Sequence, residues 1–307
     1  MSRNGVLVVG SANMDFVVKA VHFPRPGETL FGRTFSMFPG GKGANQAVAS
    51  AKVGARTYFI GKMGKDIFRD TLMTSMRHDG VELGHVKVDA KASTGIALIT
   101  VDLSGQNEIV VISGSNMHLL PGDLDREKSV FSKVRTVLLQ LEVPLPTVLR
   151  AARLAKRSGA LVILNPAPAQ KLPPALLRRT DILTPNETEA EILTGVRVRD
   201  IPSAGRAARK LLKAGVGRVI VTLGSRGCLL VTENELRRFP ALHVRPVDTT
   251  GAGDAFNGAL ACALAGGKTL NEAILFANSV AAFSVTRMGA QSSMPGLKEL
   301  RLFLRHL

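Results

Sequence analysis

Thr136-Val137-Leu138-Leu139-Gln140-Leu141 is a short apolar run, residues 145–155 behind it follow a helical period, and Leu161-Val162-Ile163-Leu164 form a second apolar run. Such runs, lacking strict alternation of polar and apolar residues, suit strands covered on both faces. Strand, helix and strand in succession make one crossover unit, and crossovers of this kind join parallel strands with a right-handed turn. The rest of the chain repeats the rhythm. Residues 6–10, 57–60, 181–184 and 218–223 read as further buried strands, and residues 44–53, 67–78, 187–193 and 203–214 as helices. The expected fold is therefore α/β: three layers, α/β/α, around a doubly wound, mostly parallel sheet whose strand C-termini place the functional site along one edge.

Two stretches break the alternation, residues 16–38 and residues 94–112, the second with a turn at Ser104-Gly105-Gln106-Asn107. Both read as antiparallel hairpins. Together they would form a small sheet inserted into a single domain spanning residues 1–307 and projecting over the strand edge as a lid; the alternative makes them extra edge strands of the main sheet.

Lys and Arg number 40 against 24 Asp and Glu, a net charge of +16, while aromatics are 5% of the 307 residues and Trp is absent. The basic residues are scattered, with no arm or nucleic-acid motif, so the charge predicts solubility and non-specific attraction rather than specific nucleic-acid binding. Cys228 and Cys262 sit in apolar or small-residue surroundings and are expected to be two buried, reduced thiols. Residues 1–4 run into the first strand without an apolar leader, and no apolar run reaches about 18 residues, so the expectation is a cytoplasmic protein with no membrane segment.

The chemistry concentrates in Asp248-Thr249-Thr250-Gly251-Ala252-Gly253-Asp254-Ala255-Phe256, which follows a strand-like segment and opens a long small-residue helix. Gly251, Ala252 and Gly253 would present backbone N–H groups at the positive end of that helix, an anion hole for developing phosphoryl charge. Asp254, in the first turn, would accept the proton of an attacking hydroxyl as general base; the plainer alternative is an acidic helix-start residue favoured by the dipole. Gly267-Lys268-Thr269 lacks the upstream glycine of a P-loop, and Gly10-Ser11-Ala12-Asn13 has the wrong spacing for a dinucleotide fingerprint. A second polar group joins Gly10-Ser11-Ala12-Asn13-Met14-Asp15, at the end of the first strand, to Gly40-Gly41-Lys42-Gly43-Ala44-Asn45-Gln46, at the start of a helix. Asn13, Asp15 and Asn45 suit several sugar hydroxyls at once, the glycines let a sugar lie against backbone, and Lys42 suits a phosphate or sugar oxygen.

These stretches, with Asn165-Pro166-Ala167-Pro168, Thr184-Pro185-Asn186-Glu187-Thr188-Glu189, Thr222-Leu223-Gly224-Ser225-Arg226-Gly227 and Thr286-Arg287-Met288-Gly289-Ala290-Gln291, occur in the order seen in the PfkB sugar kinase family, which the chain resembles over nearly its whole length. The resemblance implies ATP-dependent phosphorylation of a sugar alcohol, with ribose at its 5-hydroxyl the expected acceptor. A deoxyribose, nucleoside or sugar phosphate kinase, or a catalytically silent sugar-binding regulator, are the alternatives. It implies that the sugar meets Asn13, Met14, Asp15, Gly41, Lys42, Gly43, Ala44, Asn45, Glu142 and Asp254. ATP would meet Asn186, Thr222, Leu223, Gly224, Ser225, Arg226, Gly227, Gly253, Asp254 and Asn278. By the same resemblance Glu189 helps place Mg²⁺ through water, and Asp248, Thr250, Ser284, Arg287, Gly289 and Ser293 surround a K⁺ ion, several through backbone carbonyls. A homodimer joined through the lids is a further implication.

Overall fold

The computed structural model describes residues 4–307; residues 1–3, the start of the segment read as running straight into the first strand, lie outside the described residues. The strands are β1 (Gly5–Val9), β2 (Asn13–Lys19), β3 (Thr34–Gly40), β4 (Thr57–Ile60), β5 (Lys62–Gly64), β6 (Val81–Glu82), β7 (Lys87–Asp89), β8 (Gly95–Val101), β9 (Asn107–Ile112), β10 (Val134–Leu139), β11 (Leu161–Leu164), β12 (Ile182–Leu183), β13 (Arg218–Thr222), β14 (Cys228–Val231) and β15 (Leu236–Phe239). The α-helices are α1 (Lys42–Lys52), α2 (Ile67–His78), α3 (Pro121–Arg126), α4 (Leu145–Arg157), α5 (Pro174–Leu177), α6 (Glu187–Thr194), α7 (Ile201–Lys213), α8 (Ala252–Ala265), α9 (Leu270–Ser284) and α10 (Leu297–Arg305).

Nine strands form the main sheet in the order β15-β14-β13-β12-β11-β10-β1-β4-β6. Pairings from β13 through to β6 are parallel; at the other edge β14 alone runs against the rest, pairing antiparallel with both β13 and β15. The pleat of β1 shows why the apolar runs do not alternate with polar residues. Val6 and Val8 belong to the core built with residues of α1, α2, α8, α9 and α10, whereas Leu7 and Val9 belong to the one built with residues of α3, α4, α5, α6 and α7. Each face of the sheet thus buries its own core, giving the three layers expected. The edge pair β14–β15 closes through a turn in which the Thr232 N–H donates to the Glu235 carbonyl at 2.8 Å.

A separate four-stranded sheet has the order β3-β2-β8-β9. The β2–β3 and β8–β9 pairs are antiparallel, and β2 joins them by pairing parallel to β8. Asn13, Met14 and Asp15 therefore do not end the first strand, as the sequence reading had it: β1 stops at Val9, the chain leaves the main sheet over Gly10, Ser11 and Ala12, and these three residues begin β2. The close approach at Gly10 fixes that exit, because a Cβ there would stand 2.0 Å from Gln140 Oε1 and 2.9 Å from Gly43 Cα. Cys228 is buried and Cys262 only partly so, a correction to the expectation of two buried thiols; both are free. Cys262 lies on α8, where its Sγ reaches the Val53 carbonyl at the margin of the α1 packing surface.

Candidate active site

Helix α8 opens at Gly251, which holds the left-handed conformation at φ 75° and packs so tightly that a Cβ would lie 3.0 Å from the Ala290 Cβ. An L side chain rarely takes that φ, so the turn is written for glycine. The Gly251 carbonyl accepts the Ala255 N–H at 2.8 Å, while the N–H groups of the first turn have no intrahelical acceptor. A Cβ on Gly253 would meet nothing within 4 Å, so this end of the helix faces open space. No strand precedes it, against the sequence reading. β15 ends at Phe239, and the Val247 and Asp248 N–H groups instead donate to the Val285 carbonyl at 2.7 and 3.2 Å. Pro240 and Pro246 bracket this segment and offer no N–H for a sheet ladder.

Asp254 is 6% exposed, and both its oxygens are gripped from α1: Asn45 Nδ2 donates to Oδ2 at 3.0 Å and Gln46 Nε2 to Oδ1 at 2.9 Å. The glycine and small-residue patterns bring the two helices together. A Cβ on Gly258 of α8 would stand 2.6 Å from the Gln46 carbonyl oxygen and 2.6 Å from the Ala49 Cβ. The two motifs singled out in the sequence, 40–46 and 248–256, thus meet at one carboxylate.

The sugar-type residues gather beside it. Gly41, at φ 86°, follows the end of β3 and caps α1; Gly43 packs against the Ser11 backbone, where a Cβ would stand 2.5 Å from the Ser11 nitrogen. The buried Ala44 N–H donates to the Ser11 carbonyl at 2.8 Å. Glu142 Oε2 accepts from Ser11 Oγ at 2.5 Å and from the Lys42 N–H at 3.0 Å, which ties the end of β10 to the start of α1. Asp15 lies over Gly40, whose missing side chain makes the room: a Cβ there would meet Asp15 Oδ2 at 2.1 Å. Met14, on the opposite face of β2, is packed into the core with α1 and α2. Burial pushes the Asp15 carboxyl up to about 7, the neighbouring Glu142 and Asp254 charges push the same way, and only Lys42 opposes them. The Lys42 ammonium is held above its ordinary value chiefly by the Asp254 charge, with Glu142, Glu189 and Asp15 adding to it against the opposing effect of burial. One ammonium thus serves four carboxylates in a single cluster.

Across the strand edge, Asn186 caps α6: its Oδ1 accepts the Glu189 N–H at 2.8 Å, and Glu189 Oε2 accepts the Asn186 N–H at 2.9 Å. Burial raises the Glu189 carboxyl, against the Asn186 N–H and the Lys42 charge. Thr222 bridges Asn186 at the end of β13, and the Leu223 N–H donates to the Gly227 carbonyl at 2.8 Å across a turn containing Gly224 and Ser225. Leu223 is buried. Arg226 is occupied elsewhere, donating to Glu187 Oε1 at 2.6 Å and to the Arg199 carbonyl at 2.8 Å. Asn278 on α9 donates to the Pro240 carbonyl at 3.3 Å and lies against Cys228, whose thiol burial pushes up to about 12.

Of the six positions expected around a monovalent cation, Asp248, Thr250 and Gly289 come together, since Asp248 Oδ1 accepts the Thr250 N–H at 2.9 Å and Oδ2 the Gly289 N–H at 2.8 Å. Burial of Asp248 raises its carboxyl, but these two N–H groups, with the Thr250 hydroxyl and the Lys19 charge, outweigh that and hold it below the usual range. Ser284 and Ser293 spend their hydroxyls on the Ala281 and Ala290 carbonyls, both at 2.8 Å. Arg287 turns away, pairing with Glu299 at 2.9 Å and covering the Phe283 ring at 4.4 Å, so only its backbone is available to an ion.

Several residues with no assigned role complete the site. Asn116 Oδ1 accepts the Ala12 N–H at 3.0 Å and its Nδ2 donates to Asn13 Oδ1 at 2.7 Å, which leaves the Asn13 amide to face the site as a donor. Nothing in the local sequence of Asn116 marks it. Gln140 carries a faint signal, a polar residue at the end of an apolar strand run, but the Gln46 partner that its full burial demands lies 94 residues away.

A model of the pfkB family of carbohydrate kinases matches residues 3–297. The chain is 43% identical over 304 residues to a ribokinase of Haemophilus influenzae, spanning 99% of each, and 39% identical over 300 residues to a deoxyribokinase of Salmonella typhi, spanning 97% of this chain and 98% of that one. The solved structure of Arabidopsis thaliana ribokinase complexed with ribose and ATP shares the fold at a TM-score of 0.93 and 36% identity, covering 99% of both chains.

Proposed function

The chain belongs to the pfkB family of carbohydrate kinases, and from that premise we propose that it transfers the γ-phosphoryl group of ATP to the 5-hydroxyl of D-ribose, releasing D-ribose 5-phosphate and ADP. The observation that carries the reading is the Asp254 carboxylate, fixed from both sides by Asn45 and Gln46 at the open N-terminus of α8. A sugar alcohol is a weak nucleophile. Asp254 takes its proton as the new P–O bond forms and the bond from the γ-phosphorus to the bridging oxygen of ADP breaks, and general-base help of this kind is worth roughly 10²- to 10⁴-fold. The N–H groups at Gly251 and Gly253 face the charge that gathers on the migrating group, while that of Ala252, expected beside them, turns back to the Thr249 carbonyl at 3.3 Å. Asn13, Asp15, Gly41, Lys42, Gly43, Asn45 and Glu142 grip the sugar, with Asn13 and Asp15 selecting for both secondary hydroxyls. The nucleotide lies along Asn186, Thr222–Gly227, Gly253 and Asn278.

Mg²⁺ prefers oxygen donors and keeps several waters, which suits the Asn186–Glu189 pair; it would neutralise phosphate charge there. The Asp248–Thr250–Gly289 loop, with a carboxylate held ionised among backbone groups, suits K⁺, whose charge would steady the helix end. The small sheet acts as a lid that excludes water, and its apolar face joins two copies in a homodimer. The setting is cytoplasmic, in keeping with the lack, among the described residues, of any helix long and apolar enough to cross a membrane.

An ADP-release assay with ribose, 2-deoxyribose, adenosine and fructose 6-phosphate, run with and without K⁺, tests the substrate. Asp254→Asn should remove most turnover while sugar binding persists. Near-normal turnover in that variant refutes the base assignment, and a preference for 2-deoxyribose over ribose refutes the substrate.

A further inference from the structure

An ionised carboxylate only accepts hydrogen bonds, so the polarity of every group around Asp254 is forced outward from it. Asn45 and Gln46 must both turn their NH₂ groups to it, which leaves their carbonyl oxygens facing away. Each of those oxygens meets a further carboxamide that must then donate. Gln140 Nε2 donates to Gln46 Oε1, and Gln291 Nε2 donates to Asn45 Oδ1 at 3.1 Å. The second proton of Gln46 Nε2 goes to Asn165 Oδ1 at 3.0 Å, so that amide uses both its donors and its acceptor. The outermost pair bears the consequence. Gln140 Oε1 and Gln291 Oε1 are two of three buried side-chain polar atoms without a hydrogen-bond partner among the described residues. A buried carbonyl without a partner is unfavourable, and an apolar residue of similar shape would avoid it. What these two glutamines supply at that cost is a donor aimed at the next amide.

We propose that Gln46 and Gln140 are positioning residues for the phosphoryl transfer: a relay of carboxamides running from the end of β10 through α1 that keeps an N–H, never a carbonyl, against Asp254 and so holds the base in one orientation. Gln291 builds the matching arm through Asn45. The inference rests on Asp254 being the base. Gln140 touches neither ligand in that reading, so its effect travels only through Gln46.

The test compares Gln46→Met, Gln46→Glu and Gln140→Met, alone and combined with Asp254→Asn, by steady-state kinetics and by ribose-binding calorimetry. Misplacement of a reacting group by an ångström is worth about 10²-fold, so each Met variant should lower kcat by roughly 10- to 100-fold with the KM for ribose within about 3-fold. Gln46→Glu, the same shape with an acceptor in place of the donor, should lose at least as much as Gln46→Met at pH 8. In the Asp254→Asn background no Met variant should cause a further loss, because the path runs through that carboxylate. Unchanged kcat in Gln140→Met overturns the proposal, as does an equal loss in both backgrounds, which would make the glutamines general packing. If Gln46→Met does not fold, Gln140→Met carries the test one residue further out. High turnover in Asp254→Asn alone sinks the base reading instead, a result separable from failure of the relay.

Discussion

Asp15 shows what a single buried side chain costs the fold, a cost that its proposed role in binding would explain. Its carboxyl is pushed up to about 7 by burial and by Glu142 and Asp254, well above the ordinary value of 3.8. Between those two values the folded chain binds more protons at this position than the unfolded chain, so stability falls as pH rises from about 4 to about 7, and the penalty is complete above that. Asp15→Asn should therefore raise the melting temperature of the sugar-free protein at pH 8 and leave it nearly unchanged at pH 4, as read by scanning calorimetry. The same variant should bind ribose less tightly at pH 8. A melting temperature lower than that of the parent protein at pH 8 contradicts this account of Asp15. Residues of this kind were legible because their chemistry stands in short motifs. Asn116 and Gln140 were harder, since their roles exist only where distant segments meet: Asn116 on Ala12 and Asn13, Gln140 on Gln46.

Among the elements, the α1–α8 crossing sets the geometry of the site. Gly258 lets the helices touch, and a methyl group there would stand 2.6 Å from the Gln46 carbonyl and 2.9 Å from the Ser50 nitrogen, which are backbone atoms that cannot step aside. Gly258→Ala should destabilise the fold by about 1–3 kcal/mol, the usual range for overpacking, and lower kcat more than KM by drawing Asp254 from Asn45 and Gln46. Urea unfolding with parallel kinetics checks both, and a fully stable, fully active variant would show that the helices can separate freely. The parallel strands other than the two-residue β6, and the helices between them, were readable from apolar runs and helical period, with ends off by a few residues. β14 and β15 were not, because a four-residue apolar run has no period to separate strand from helix, and Leu236-Arg237-Arg238-Phe239 is mostly exposed. α9 carried its own signal in the Thr269–Glu272 capping box.

For the whole molecule, the small sheet leaves apolar surface uncovered. Cross-strand partners share a face, so Val17, Ile99 and Ile109 continue the side of the sheet on which Asp15 lies, and Ile109 is 52% exposed. If this face joins two copies, Ile109→Glu should convert the protein to monomer in sedimentation velocity. Each copy carries a net +16, so salt, by screening the repulsion, should tighten the parent dimer; a monomer at every salt and protein concentration contradicts the interface. The link between the two sheets has one more consequence. Only Gly10, Ser11 and Ala12 separate β1 from β2, so the groups proposed to grip the sugar stand on two sheets joined by a very short leash. On that reading a ribose molecule held from both sides would be a rivet between them, one that each catalytic cycle would drive in and then draw out.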